Sequence, residues 1–265
     1  SKSKKNIQRH YDIGGTKAEM LYDIFLDKKH RQYSCGYWKN SNETLEDAQQ
    51  NKIDHIIKKL SLRSGDRVLD IGCGYGGLAF ELARQSKCEV TGISLSENQI
   101  KYCNKKAKEL KLDNQVNFEL KDYREVKGKF ERIVSVGALE HFGKKFYGVF
   151  FKRVNDLMKE DGITLLHTIA SVDTPGSAQP FIQKRIFPGG AIPAMSDLIK
   201  PIEKSGLVMS DCETLIHHYD KTLNAWLDRF MANKKKGKDL YDENFVRMWE
   251  FYLASCSAAF KFRDL

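Results

Sequence analysis

The sequence predicts an α/β fold built on a parallel sheet, and three observations support this prediction. Short apolar runs alternate with amphipathic segments between Arg67 and Ala170, and a glycine-rich loop, VLDIGCGYGG, begins in the first run. A long amphipathic segment ends the chain. Parallel neighbours need a crossover, which a helix supplies, so the alternation indicates helices on both faces of a sheet. Ligands in such sheets bind beyond the carboxyl ends of the strands, where we expect the functional residues.

Five apolar runs predict the strands, and these are RVLDI, CEVTGI, VNFELK, ERIVSVG and GITLLHTIA. Between them, SENQIKYCNKKAKEL places Ile100, Cys103, Ala107 and Leu110 at helical spacing, and the segment 146–157 repeats this pattern. Before the first strand, TLEDAQQNKIDHIIKKL predicts a helix. The aromatic stretch QYSCGYW, which precedes that helix, is expected to lie over the ligand site.

The remainder of the chain departs from this alternation. SVDTPGSAQPFIQKRIFPGGAIPAM contains four of the five prolines and a Gly-Gly pair, which predicts an inserted loop or lid. An apolar stripe at helical spacing follows it, comprising Phe245, Met248, Trp249, Tyr252, Leu253, Cys256 and Phe260. We therefore predict a single domain over 1–265, with an N-terminal helical lid segment (1–60), a ligand-binding core (61–170) and an insert with C-terminal helices (171–265).

Composition narrows the class of protein. No apolar run approaches the roughly 18 residues that span a bilayer, and SKSKKNIQRHYD lacks the apolar centre of a secretory signal, so we predict a cytoplasmic protein. Six cysteines without CxxC or Cys/His spacing argue against a zinc site or a disulfide framework, and we expect no metal. The net charge of +9 favours an anionic membrane surface or nucleic acid as partner. No motif for base readout supports nucleic acid.

The glycine loop predicts the cofactor. Gly72, Gly74 and Gly77 match GxGxxG, which is typical of dinucleotide sites, whereas Gly72, Gly74 and Gly76 match GxGxG, which is typical of S-adenosylmethionine sites. A dinucleotide site expects an acidic residue about 20 residues further on. CEVTGISLS has none after its strand, so the loop favours S-adenosylmethionine. Asp70, at the strand end, suits the amino acid part of this methyl donor or its solvent shell.

Further donor contacts are predicted after the second and third strands. Gln99 is available to hold the ribose, although Ser96 and Gln99 also form S-x-x-Q, the pattern of a capping box. Ser94 precedes this helix and is predicted to contact the donor. KDYR places Asp122 and Tyr123 where an adenine would lie, and a surface loop is the alternative.

Seven motifs occur in one order along the chain: YSCGYW, VLDIGCGYGG, SVGALEHFG, LLHTIA, IFPGG, HYDKTLNAW and YLASCSAAF. With them, the sequence from about His10 to Leu265 resembles the cyclopropane fatty acid synthase family, which includes the mycolic acid cyclopropane synthases. The resemblance implies a Rossmann-like class I S-adenosylmethionine-dependent methyltransferase fold. It also implies methyl transfer to a cis double bond of a lipid acyl chain, with closure of a cyclopropane ring.

The resemblance assigns residues as well. One set of positions matches the family's bicarbonate site, where the ion accepts the proton lost at ring closure: Cys35, Glu140, His167, Ile169 and Tyr219. A second set matches donor-binding positions: Tyr33, Ser34, Gly72, Gly74 and Gln99. Cys256 matches a position often assigned as an active-site cysteine. An alkene offers no electrophile to a thiolate, and burial on an apolar stripe raises a thiol pKa, so both arguments count against a nucleophilic role.

Glu140 is expected to orient the base rather than to act as it. A bicarbonate held by Tyr219, His167 and a backbone N–H near Ile169 would point its O–H at Glu140, with its basic oxygen toward the substrate. The alternative is that Glu140 caps the helix that begins near Gly143. Aromatic faces can stabilise the carbocation that methyl transfer leaves, and the candidates are Tyr33, Tyr37, Trp38 and Phe142.

The resemblance implies an unsaturated phospholipid or a carrier-bound acyl chain as substrate, with the protein peripheral at the inner membrane surface. Methyl branching of an acyl chain and N-methylation of a small amine are the alternatives within the family. A retained bicarbonate site favours ring closure, since N-methylation leaves no carbocation to deprotonate. The oligomeric state stays open.

Overall fold

The computed structural model describes residues 17–173, 179–262 and 265. Its centre is a five-stranded parallel sheet with the order β3–β2–β1–β4–β5. The strands are β1 (Arg67–Ile71), β2 (Glu89–Ser94), β3 (Val116–Leu120), β4 (Phe130–Val136) and β5 (Met158–His167). The predicted α/β class is therefore confirmed, and β5 begins four residues before the glycine at which it was predicted to start.

Helices cover the sheet and extend beyond it. They are α1 (Lys17–Phe25), α2 (Leu45–Leu60), α3 (Gly77–Ser86), α4 (Glu97–Glu109), α5 (Tyr147–Leu157), α6 (Met195–Ser205), α7 (Ile216–Ala232), α8 (Lys234–Leu240) and α9 (Glu243–Lys261). Short 3₁₀ turns occupy Tyr123–Glu125, Leu139–His141 and Lys144–Phe146, and a π-helical turn occupies Ile182–Ile186.

Helix α2 shows how local sequence sets an element. Thr44 precedes it and accepts a hydrogen bond from the Asp47 amide, while the Asp47 carboxylate accepts one from the Thr44 amide at 3.0 Å. This capping box satisfies two amides that a helix start otherwise leaves unpaired. The helix ends at Leu60, and the next residue, Ser61, adopts a left-handed conformation. Both ends of α2 are thus encoded locally, and its buried face is left to pack on the sheet.

Three clusters of buried side chains hold the elements together. One joins α2, α3 and α4 to one face of the sheet, and a second joins α5 and α6 to the other face. The third lies among α1, α7 and α9 and includes Trp226 and Trp249, both 0% exposed. Burial of large aromatic side chains dominates the energetics of such a cluster. The C-terminal helices therefore stand beside the sheet, at the edge where its strands end.

The predicted lid returns to the sheet edge. A parallel bridge joins Ser171 to Ala194, and the amide of Ala191 donates to the Glu140 carbonyl at 2.8 Å. Residues 174–178, which belong to the same predicted loop, lie outside the described residues. None of the described helices has the length and apolar character needed to cross a bilayer.

Candidate functional site

Two adjoining cavities lie at the carboxyl ends of the strands. The smaller has a volume of about 130 Å³ and the larger a volume of about 380 Å³. Tyr33, Ser34, Gly137 and His141 line both. The first two belong to the stretch QYSCGYW, which lies over the site as predicted. The two cavities are therefore neighbours that share lining residues.

The glycine loop after β1 forms the floor of the smaller cavity. Gly72 and Gly74 have φ angles of +86° and +53°, which L side chains rarely adopt. A Cβ on Gly72 would lie 2.7 Å from the Cβ of Ala138, far inside van der Waals contact. Glycine is therefore required at Gly72 both for the backbone turn and for the approach of the β4 loop.

Asp70 supplies a buried carboxyl group in the wall of the smaller cavity. It is 2% exposed, and its Oδ2 has no hydrogen-bond partner among the described residues. Burial raises its pKa to about 7. A buried acceptor without a partner is costly, so this position suits a cationic amine or another donor on a bound ligand.

The end of β2 and the first turn of α4 contribute Ser94 and Gln99 to the same wall. The Ser94 hydroxyl donates to Gln99 Oε1 at 2.8 Å, and the Gln99 amide donates to Ser96 Oγ at 3.3 Å. Ser96 therefore caps α4, but the Gln99 side chain turns toward the cavity instead of completing a capping box. The Ser96 cap is therefore confirmed, the Gln99 side chain bonds to Ser94, and its contact with the donor stays a prediction.

The loop after β3 places Asp122 and Tyr123 in the smaller cavity. The Asp122 carboxylate accepts hydrogen bonds from the Arg124 guanidinium at 2.8 Å and 2.6 Å. Tyr123 is 8% exposed, and its ring centroid lies 5.0 Å from that of Phe142. The loop thus presents an aromatic ring and an oriented carboxylate to the smaller cavity.

The larger cavity is mostly apolar. Helices α7 and α9 and the lid contribute Leu223, Ile182, Phe187, Ile192 and Phe260 to its wall. Polar side chains interrupt this surface, and they include Glu140, His167, Tyr219, Ser255 and Cys256. An apolar cavity with a few convergent polar groups is the usual form of a site that holds an apolar ligand at one reactive point.

Glu140 occupies the turn that follows β4. Its Oε1 accepts a hydrogen bond from the Ile169 amide at 2.8 Å, while its buried Oε2 has no partner among the described residues. Burial raises the pKa of Glu140, against the hydrogen bond from Ile169, which lowers it. Glu140 does not cap the next helix, because α5 begins only at Tyr147 and has no side-chain cap.

This hydrogen bond bears on the expected bicarbonate site. A backbone N–H near Ile169 was expected to hold bicarbonate, and the amide of Ile169 itself donates to the Glu140 carboxylate. The Ile169 side chain still lines the larger cavity. The amide of Ile169 therefore orients Glu140, and contact of a neighbouring backbone N–H with bicarbonate stays a prediction.

His167 and Tyr219 lie in the wall of the larger cavity with Glu140. Burial lowers the pKa of His167 to about 4, so the imidazole is neutral at physiological pH, and its Nδ1 has no partner among the described residues. Burial raises the pKa of Tyr219 well above its usual value. The phenol therefore stays protonated and can donate a hydrogen bond.

The two predicted site cysteines are placed differently. Cys256 lines the larger cavity, whereas Cys35 is 1% exposed, lies in neither wall and donates its thiol to the Gly36 carbonyl at 3.3 Å. Burial raises the pKa of both thiols to about 12. Neither is a thiolate at neutral pH. The structure thus brings five of the six predicted catalytic residues to one cavity and leaves the Cys35 side chain behind its wall.

The four aromatic residues that were candidates for stabilising the carbocation do not all line the cavities. Tyr33 lines both cavities and Phe142 lines the smaller one. Tyr37 stacks between His55 and His218, at centroid distances of 4.4 Å and 4.7 Å. The Trp38 indole donates to Thr222 Oγ1 at 3.0 Å. Neither Tyr37 nor Trp38 belongs to a cavity wall, so the structure does not place them against a bound substrate.

Tyr252 is a cavity residue that sequence reasoning assigned only to packing. It lies in the wall of the larger cavity, and its hydroxyl is 2.8 Å from the hydroxyl of Tyr33. A tyrosine on an otherwise apolar helical stripe needs a partner for its hydroxyl when buried, and that requirement was the available signal.

Comparison with known proteins identifies the family. Residues 1–265 match the sequence model of the family described as mycolic acid cyclopropane synthetase. The chain is 41% identical over 258 residues to the cyclopropane-fatty-acyl-phospholipid synthase of Escherichia coli (strain K12). The matched region covers 97% of this chain and 65% of that protein. The chain thus spans 65% of the length of this relative.

Two solved structures extend the match to the fold. The cyclopropane synthase MmaA2 from Mycobacterium tuberculosis has a TM-score of 0.92 at 30% identity, covering 98% of this chain and 94% of that one. Mycolic acid cyclopropane synthase CmaA1, complexed with SAH and CTAB, has a TM-score of 0.91 at 30% identity with the same coverage. The fold is that of class I S-adenosylmethionine-dependent methyltransferases, and the chain belongs to the mycolic acid cyclopropane synthetase family.

Proposed function

We propose that this protein transfers a methyl group from S-adenosylmethionine to the cis double bond of an unsaturated acyl chain and closes a cyclopropane ring, with bicarbonate as general base. One observation supports this proposal above all: a small cavity floored by the glycine loop shares a wall with a larger apolar cavity that contains Glu140. A relative is named cyclopropane-fatty-acyl-phospholipid synthase, and CmaA1 holds SAH and CTAB.

The smaller cavity fits the methyl donor. The glycines let the backbone approach it, Asp70 offers an unpartnered oxygen to its amino group, and the walls from β2 and β3 offer Gln99, Asp122 and Tyr123 to its nucleoside. When bound, S-adenosylmethionine supplies a sulfonium methyl, which is electrophilic enough for an alkene that is otherwise a poor nucleophile. The role of the chain is to hold both reactants in contact.

The larger cavity fits bicarbonate. Glu140 Oε2 and His167 Nδ1 are buried without partners among the described residues, and Tyr219 carries a protonated phenol. When bound, bicarbonate supplies a small base for the proton lost at ring closure. Glu140 accepts the O–H of that base, and Tyr219 donates to one of its other oxygens. Neutral His167 adds a further hydrogen bond, and the apolar wall excludes water.

We propose that the substrate is a phospholipid in an anionic membrane and that the protein works at the inner membrane surface. Phe251 on α9 and Phe262 directly after it are 58% and 73% exposed, and they lie four and three residues from the cavity-wall residues Ser255 and Ala259. Exposed Lys184 and Arg185 lie beside Ile182, which also lines the cavity. Exposed aromatic and basic side chains at a cavity rim suit a lipid headgroup layer.

Removing the two basic rim charges tests the membrane proposal. The K184Q/R185Q variant is expected to bind anionic vesicles roughly tenfold or more weakly at low salt, because each basic residue near an anionic surface contributes about 1 kcal/mol. Sedimentation with vesicles measures this. The matched control is K105Q/K108Q, which removes two exposed charges from α4. If the two variants bind the vesicles equally well, Lys184 and Arg185 do not contact the membrane surface.

The reaction is tested with methyl-labelled S-adenosylmethionine and vesicles of monounsaturated phospholipid, with and without bicarbonate. Mass spectrometry and NMR of the recovered chains should show a bicarbonate-dependent gain of one CH₂ and loss of the olefinic signal. A gain with the alkene retained would mean methyl branching. Transfer to an added amine without vesicles would mean N-methylation, and either result would overturn ring closure.

The Cys256→Ser variant should retain most of its turnover. The Cys256 thiol has a pKa raised to about 12 and the proposed chemistry offers it no electrophile, so only packing against the acyl chain changes. We expect less than about a tenfold change in kcat/KM. A loss above about 10³-fold, with donor affinity unchanged, would assign the thiol a direct chemical role.

A further inference from the structure

Lys52 is a buried cation beside the two cavities. It lies on α2, is 3% exposed and donates a hydrogen bond from Nζ to Ser34 Oγ at 2.7 Å. Ser34 lines both cavities. Among the described residues, no carboxylate lies within 4.0 Å of this ammonium group. Buried charges are normally paired, so a lysine in this position lacks the partner that its burial requires.

Asp27, the acidic residue whose charge acts on Lys52, already accepts hydrogen bonds from other groups. The Asp27 carboxylate acts on Lys52 only at longer range, and it accepts hydrogen bonds from the backbone amides of His30, Arg31 and Gln32 at 2.6, 3.1 and 2.7 Å. Asp27 therefore holds the turn after α1. Burial lowers the pKa of Lys52 to about 8, which leaves most of it charged at neutral pH.

The wall of the larger cavity, in contrast, contains no lysine or arginine among its described residues. It does include Glu140. Its two histidines, His141 and His167, have pKa values lowered by burial to about 4, so both are neutral at physiological pH. An anion that enters this cavity therefore finds hydrogen-bond donors but no positive charge in the wall itself. Burying an unpaired anion is energetically unfavourable.

Lys52 does not line the larger cavity but contacts Ser34, which does. After burial, the charge of Lys52 is the second cause of the lowered pKa of His167. A charge interaction with Cys35 in turn raises the pKa of Lys52. Helix α2 packs against β5, the strand that ends at His167. The positive charge is therefore felt on the side of the cavity where the base is proposed to bind, while Ser34 separates the amine from the ligands.

We propose that Lys52 is the counter-charge for the bicarbonate ion and acts on it through Ser34 as a positioning residue. This inference rests on the proposed role of bicarbonate. The separation of the Lys52 amine from the cavity has a chemical reason. An amine in the cavity itself would be a stronger nucleophile toward a sulfonium methyl than an alkene is, and would compete for it. Placed behind a hydroxyl, the ammonium stabilises the anion without meeting the methyl donor.

Calorimetry with the protein saturated with SAH tests the inference. Sodium bicarbonate is titrated into the parent chain, K52M, K52R and K58M at constant ionic strength. Lys58 is exposed on the same helix, so K58M matches the loss of charge. We expect the bicarbonate Kd to rise about tenfold or more in K52M, to stay within about threefold of the parent in K52R and to stay unchanged in K58M. The SAH Kd should be unchanged in all variants.

Other outcomes separate the possible failures. A parent chain that binds no bicarbonate overturns the proposed base, and this inference with it. A parent that binds bicarbonate together with a K52M variant of equal affinity overturns the inference alone. A weaker SAH Kd in K52M with unchanged bicarbonate affinity would assign Lys52 to the carboxylate of the donor and would also overturn it.

A pH series on the parent chain keeps the test valid if K52M does not fold. Ser34, Cys35, Asp27 and His167 face or act on Lys52, and the pKa values of Cys35 and His167, about 12 and about 4, lie far from that of Lys52. Bicarbonate should therefore bind more weakly as the pH rises through about 8. K52R should show no such decline. A flat parental profile between about pH 7 and pH 9 overturns the inference.

Discussion

Replacing Glu140 by Gln is expected to lower kcat by about 10²–10⁴-fold while the affinity for SAH changes little. Glutamine keeps the volume of the side chain, and its carbonyl oxygen can still accept the Ile169 amide proton, as Glu140 Oε1 does at 2.8 Å. Its NH₂ group, however, would replace the buried, unpartnered Oε2. A donor in that position cannot accept the O–H of bicarbonate, so the base would be misoriented.

Turnover of labelled donor on unsaturated vesicles measures the first quantity, and calorimetry with SAH measures the second. The matched control is E160Q, because Glu160 is an exposed carboxylate on β5 and its replacement changes the net charge equally. Full turnover of E140Q would contradict the proposed role of Glu140. A parallel collapse of SAH affinity would show that Glu140 supports the donor cavity instead.

The Gly72→Ala variant is expected to lose donor binding by about 10²-fold or more, as measured by SAH calorimetry. Two effects combine at this position. The φ angle of +86° disfavours any L side chain, and the added Cβ would meet the Cβ of Ala138 at 2.7 Å. The neighbouring atom belongs to the loop after β4, so relief of the clash requires the floor of the smaller cavity and the turn that leads to Glu140 to move apart.

Gly65 provides a control that isolates backbone strain. Its φ angle is +84°, but a Cβ there would meet nothing within 4 Å. Gly65→Ala should therefore cost about 1–2 kcal/mol of unfolding free energy through the left-handed conformation alone, with SAH affinity unchanged. If both variants bind SAH as the parent does, close approach at Gly72 does not shape the donor cavity.

Much of the fold could be predicted because its determinants are local. The alternation of apolar runs and amphipathic segments repeats over a few residues, and the five strands lie close to where that pattern places them. The glycine loop is local as well, because the turn after β1 depends on φ angles that only a short run of glycines adopts readily. The family prediction, which rests on seven motifs in one order, is confirmed by the whole-chain match.

Contacts between residues far apart in the sequence could not be predicted in this way. The hydrogen bond from Ile169 to Glu140 joins residues 29 apart in sequence, and no local pattern predicts it. Tyr37 belongs to the same aromatic stretch as Tyr33, but only Tyr33 lines the cavities, because the chain turns its neighbour between two histidines. A run of adjacent aromatic residues does not indicate which of them faces a ligand.

The sequence by itself determined the parallel α/β architecture, the glycine-floored cavity and the set of side chains available for chemistry, because these follow from short-range periodicity and local backbone preference. Only the tertiary structure decided which of those side chains meet. It placed Cys35 behind the wall, brought Tyr252 to Tyr33 and set the ammonium of Lys52 against Ser34. The reason is physical: burial and electrostatic pairing depend on distances between segments far apart in the chain, and these distances exist only once the helices have packed on the sheet.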